Sequence, residues 1–222
     1  MQFIRLGFSL LVLAGCTAIA ASQVKTTIDH NTGSAATTAF KFKNVPSPVK
    51  DNAAAGAKLK VVVGIADPGS GGLKALTDGV LPEDEDDPSS NFFFGAGSDG
   101  GRFLLDLGVP IDIAQVNTYS WHADTRGPQV YNLFASDGED PRFNPAPDSH
   151  TDPATCGWKL IATVDTHPAD GESGGQYGVS ITDAGGVLGK FRYLLFDSIP
   201  TEYDDPWGNT FFSEVNVIAK PR

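Results

Sequence analysis

The sequence has little with which to cross-link itself and little positive charge. Its 222 residues contain two cysteines, Cys16 and Cys156, so a small fold stapled by several disulfides is excluded. Lys and Arg number 16 against 27 Asp and Glu, a formal net charge of −11, and no run gathers the basic residues. Phosphate backbones and anionic lipid headgroups are therefore repelled, and nucleic acid is not an expected partner. Charged residues make up only 19 % of the chain and no heptad persists, which excludes a coiled coil. The sequence has no His-Glu-x-x-His. His30, His150 and His167 show no metal-ligand spacing. The commonest signature of metalloproteases is thus missing.

What is present suits a β-rich core. Hydrophobic residues reach 41 %, with 14 Phe, and 25 Gly with 15 Pro supply turns. Phe40-Lys41-Phe42-Lys43 alternates, and Leu59 to Ile65 is a β-branched run closed by Asp67-Pro68-Gly69. Phe92 to Phe94, Arg102 to Leu107, Ile111 to Tyr119, Val130 to Ala135, Trp158 to Val164, Tyr177 to Ile181, Phe191 to Phe196 and Phe211 to Ile218 follow at regular intervals. Short strands with turns between them predict an all-β, antiparallel β-sandwich of about eight strands. Helix is expected only as one small turn near Leu73 to Leu76.

The N-terminus reads as an export signal over residues 1–15, with Arg5 as its one charge and an apolar stretch from Leu6 to Leu13. That stretch is too short for a permanent membrane helix. Leu13-Ala14-Gly15-Cys16 resembles the lipobox of bacterial lipoproteins and makes Cys16 the expected lipidation site; the alternative is ordinary cleavage after Ala20. Either reading exports the mature chain, as an envelope lipoprotein or as a periplasmic or secreted protein, and leaves Cys156 unpaired. Residues 16–39, small and polar, read as a tether or a loosely held first strand, and 40–222 as a single domain.

The order of segments resembles the galactose-binding-domain-like jelly roll, the discoidin or coagulation-factor type C group that includes bacterial carbohydrate-binding modules. The resemblance rests on Leu76-Thr77-Asp78-Gly79, Gly101 to Gly108, Val130 to Gly138 followed by Trp158 to Ile161, and Phe211 to Val217. The Pro-rich interval between Gly138 and Trp158 departs from the pattern and is expected to form a surface loop. The resemblance implies a structural calcium beside the five-carboxylate run Glu83 to Asp87, with Asp78, Asp86, Asp87, Ser89 (or Ser90) and Glu214 as candidate ligands. A hard cation wants six to eight oxygens, which an acidic, turn-rich loop can offer.

For ligand binding, Tyr119 to Gly127 breaks strand alternation and brings an aromatic ring, an imidazole and a guanidinium into one stretch. Sugars stack on aromatic rings while planar polar groups fix their hydroxyls. Trp121, His122 and Arg126, with Tyr203 or Trp207 from a later loop, are the candidate carbohydrate site. The expected function is an exported, non-catalytic module that binds carbohydrate or a glycoconjugate. The alternative is a structural or protein-binding envelope lipoprotein working on surface proteins. A glycoside-active enzyme using Glu202, Asp204, Asp205 or Glu214, or a partial triad of His122 and Asp124, is the less favoured reading.

Overall fold

The computed structural model describes residues 23–169 and 171–221; the signal segment and Cys16 lie outside the described residues. Eight strands follow in chain order: β1 (Val24–Thr32), β2 (Lys58–Val63), β3 (Gly101–His122), β4 (Val130–Ser136), β5 (Lys159–Asp165), β6 (Gly175–Asp183), β7 (Gly189–Ser198) and β8 (Phe212–Ala219). All pairings are antiparallel. The 22-residue β3 belongs to both layers. Its first half, Gly101 to Asp106, lies between β2 and β7, and β4 and β5 continue that layer. Its second half, Gln115 to His122, lies between β6 and β8, with β1 beyond β6. The ladder breaks between the halves, where the β7 register jumps from Asp106 to Ile111. Gly108 there takes φ +84° and Pro110 has no N–H to donate, so the chain turns the corner between layers at little cost.

Between the layers lies an aromatic core. Phe103 of β3 stacks on Phe196 of β7 at 4.7 Å and meets Phe212 of β8 edge-on at 5.6 Å, so rings from both layers interdigitate. Tyr131, Val179, Ile181, Val215 and Val217 fill the rest.

Both outer faces are covered, each by an irregular segment. The 139–157 loop lies on the outside of the first layer, where Phe143 and Cys156 pack with Leu104, Phe134, Trp158, Tyr193 and Leu195 in a second small core. The Trp158 indole donates to the Asn144 carbonyl (2.8 Å). Arg102 pins the loop further: it bonds Asp197 at 2.8 Å and donates to the carbonyls of Asp148 (2.6 Å) and Thr151 (2.9 Å). The loop covers a sheet face that would otherwise expose apolar side chains to water. Cys156 is a free, half-buried thiol whose pKa burial raises, which suits an inert residue.

Segment 40–50 covers the second layer. It is irregular, not the strand that the alternation of Phe40 to Lys43 suggested. Phe42 lies over Gly178, where an added Cβ would come within 3.1 Å of its ring. Asp29 receives the Val45 N–H (2.9 Å), Asn216 receives that of Val49 (2.7 Å), and the Tyr119 hydroxyl donates to Pro46. These bonds satisfy backbone groups that no strand partner takes. From Val24 onward the segment expected as a tether or loosely held first strand forms edge strand β1, paired with β6 over nine residues. The small turn near Leu73 is a 3-10 turn over Leu73–Leu76.

Candidate functional site

The site is built where β3 ends, from the loop after it and the loop before β8. Two loops, 123–127 and 201–210, are tied together there. Thr125 donates to the Asp205 carboxylate (2.7 Å), and the Phe211 N–H donates to the Arg126 carbonyl (3.0 Å). Asp205 also accepts the Trp207 N–H (2.9 Å), an Asx turn that fixes the start of the indole-bearing segment.

Arg126 sits in the middle. Its Nε donates to the Trp207 carbonyl at 2.8 Å. Its guanidinium carbon is 4.6 Å from the Phe211 ring centroid, 5.2 Å from that of Trp207 and 5.4 Å from that of Phe93. Phe93 and Phe211 stack on each other at 4.0 Å. This is a cation held by aromatic faces, which orients the guanidinium without consuming all its donors. Trp207 remains 53 % exposed, so part of its ring is open to solvent.

His122 packs edge-on against Phe211 at 4.6 Å and is almost wholly buried. Its Nδ1 lies 2.8 Å from the Asp124 carboxylate, and its Nε2 lies 3.8 Å from that of Asp86. Burial, helped by Arg126, holds the imidazole below its usual pKa against the pull of Asp124 and Asp86, so the ring is neutral at pH 7. Half of a triad is thus formed, but the group facing Nε2 is a carboxylate, not a hydroxyl or thiol.

The predicted ligand residues divide. His122, Arg126 and Trp207 come together. Tyr203 stands on the same loop, 79 % exposed, beside a separate cleft shared with Asp204 and Asp205. Trp121 points to the opposite face of β3. It is buried at the wall of a flank cleft of about 230 Å³ that includes Phe40, Phe42, Tyr119 and Gln176, and its indole N–H has no partner. Sequence reasoning missed Phe93 and Phe211. Strand alternation held the signal: Phe92, Phe94 and Phe212 enter the core, which leaves Phe93 and Phe211 for the site.

The candidate calcium ligands also divide. Glu214 is fully buried on β8, receives the Gly79 N–H at 3.0 Å and the Asn216 amide at 2.7 Å, and adjoins the exposed Asp78. Burial first, and Asp78 next, push its pKa up to about 8. Asp86 turns to His122 instead. Asp87 accepts the Ser89 hydroxyl at 2.7 Å within its own 3-10 turn. Among the described residues no three His, Cys, Asp or Glu side chains group around a common point suited to a metal ion.

No protein-family model matches the chain, and no curated protein matches it. Similar solved structures include the fucose-binding module SpX-3 of Streptococcus pneumoniae, 12 % identical over 77 % of this chain and 99 % of that one, at a TM-score of 0.48. The lectin domain of lectinolysin, complexed with Lewis B antigen, is 13 % identical over 77 % of this chain and 98 % of that one, at a TM-score of 0.47. SpGH29 is 12 % identical over 79 % of this chain, at a TM-score of 0.43, and the match spans 29 % of its own length.

Proposed function

We propose that this chain is an exported, non-catalytic recognition module that binds carbohydrate at the His122–Arg126–Trp207 edge. The observation that carries the reading is the half-open Trp207 ring braced by Arg126. An indole face fixed at a loop edge suits the CH face of a pyranose, and the free guanidinium N–H groups and Nε2 of His122 suit its hydroxyls. Residues that need no rearrangement to bind lose little freedom on binding. The absence of a catalytic role is supported by the carboxylate that faces Nε2 in place of a nucleophile. The test is retention on immobilised polysaccharides and a glycan array, with Trp207→Ala as the control. Binding to surface proteins alone would replace this reading with the adhesion alternative.

Two further parts belong to the proposal. Cys16 carries a lipid anchor, which mass spectrometry of the mature N-terminus tests. A calcium ion seats on Glu214 and Asp78, with backbone carbonyls of the neighbouring loop completing its oxygens. Support comes from Glu214 itself, a buried carboxylate with no cationic partner among its contacts.

A further inference from the structure

We infer that the cleft on the flank of the second layer is a separate binding site, distinct from the His122–Arg126–Trp207 edge, and that it takes a small aromatic molecule with one carbonyl oxygen at its buried end.

The cleft forms where segment 40–50 and the turn at Leu81 and Pro82 meet over the outer face of β3. Tyr119 and Trp121 stand on that face, two residues apart. Phe40 meets Phe42 edge-on at 5.0 Å, and Phe42 tilts over Tyr119 at 5.9 Å. With Pro48, Leu81 and Pro82 these rings make the walls largely apolar. The space is about 230 Å³, whereas about 150 Å³ between apolar side chains is enough to hold benzene. A substituted six-membered ring therefore fits.

One buried polar group fixes what the ring must carry. Trp121 is 6 % exposed, and its indole N–H has no partner among the described residues. The other buried polar side chains of the wall are engaged: Ser120 donates to the Gly127 carbonyl, Ser213 to Asn91 (2.7 Å), and Gln176 both accepts from Asn31 (2.9 Å) and donates to the Thr37 carbonyl (2.9 Å). Thr38, Lys41 and Ser47 are exposed at the rim and stay in water. A buried N–H without an acceptor costs free energy that an incoming acceptor recovers. Water is a poor occupant, because it needs two to four polar partners. A polyol would press several hydroxyls against aromatic walls, and a carboxylate would set a full charge beside a single neutral donor. An aryl ketone or ester brings one neutral acceptor and a ring. Phe40 and Phe42 are half-buried on a segment with no strand partner, so the ring enters by turning those side chains and leaves the sheet unchanged.

Calorimetric titration of the whole chain with acetophenone, and with ethylbenzene as the analogue that lacks the oxygen, tests this. Acetophenone is expected to bind with a dissociation constant on the order of 0.1 mM, and at least about tenfold more tightly than ethylbenzene. Trp121→Phe keeps a ring and removes the N–H, so it is expected to abolish that difference. Phe40→Ala, at a half-buried wall position, is expected to weaken binding of both compounds. Trp207→Ala is expected to bind acetophenone as the wild type does. No binding of acetophenone, equal binding of the two compounds, or an unchanged ketone preference in Trp121→Phe would overturn the inference, as would loss of binding in Trp207→Ala. Glycan retention of the same proteins reads the carbohydrate edge separately, so the failure of one site leaves the other standing.

Discussion

Arg126 and Trp207 are joined twice: the Arg126 Nε donates to the Trp207 carbonyl at 2.8 Å, and the guanidinium carbon lies 5.2 Å from the centre of the indole. One side chain thus sets both the backbone position and the ring of the residue proposed to meet the ligand. Arg126→Lys keeps the charge and loses the planar fork, so it is not a conservative change here. Glycan affinity is expected to fall at least about tenfold, with a loss of stability of about 1 kcal/mol. Calorimetry beside a thermal melt measures both, and unchanged affinity would show that Trp207 is positioned without Arg126.

Glu214 makes stability depend on pH. Its folded pKa of about 8 exceeds the ordinary 4.5, so the folded state keeps a proton that the unfolded chain releases. The contribution of this group is therefore largest below about pH 4.5 and is lost as pH rises toward 8, by at most about 1.4 kcal/mol per unit. Denaturant titrations across that window should show the slope, and Glu214→Gln should flatten it. Calcium bound to the ionised carboxylate would offset the same loss, so excess calcium should raise the melting temperature at pH 8 and chelation lower it. Identical melts in calcium and chelator would remove the calcium proposal and leave the pH slope standing.

Arg102 is the clasp between the 139–157 loop and the first layer. Replacing it with Met leaves Asp197 without its cation and the Asp148 and Thr151 carbonyls without a donor. Loss of about 3 kcal/mol is expected, measured by denaturant unfolding. Limited proteolysis should cut first within 139–157. A change below about 0.5 kcal/mol would show that the small core around Trp158 holds the loop without Arg102.

Much of the fold was legible because alternation marks burial. The pattern at Phe103, Leu105, Leu194 and Phe196 marks side chains that enter the core, and the structure pairs those strands. What alternation does not mark is the partner. Phe40 and Phe42 carry the signature of a half-buried strand, yet they cover the outside of a sheet through side chains alone. Arg102 to Leu107 and Ile111 to Tyr119 read as two strands because Gly108 and Pro110 separate them, although the chain continues through a register shift into the second layer. β1 was obscured for the opposite reason: an edge strand with one partner can be built from Thr, Asp, His and Asn, whose composition matches a tether.

The site was legible in its polar members. His122, Arg126 and Trp207 are large residues in loops or at a strand end. Trp121 was grouped with His122 by adjacency, whereas neighbouring residues of a strand face opposite ways. Phe93 and Phe211 were hidden within apolar runs that also feed the core. The resemblance implied the grouping of Asp78, Asp86, Asp87 and Glu214, but Asp86 faces a histidine and Asp87 its own turn.

The most direct test of the account is retention of the purified chain on a panel of immobilised glycans, with wild type and Trp207→Ala run side by side. Trp207 is half exposed and its indole lies outside the core, so the variant should melt within about 0.5 kcal/mol of wild type. Wild type should be retained and the variant should not. Equal retention of both proteins, or retention of neither, would contradict it.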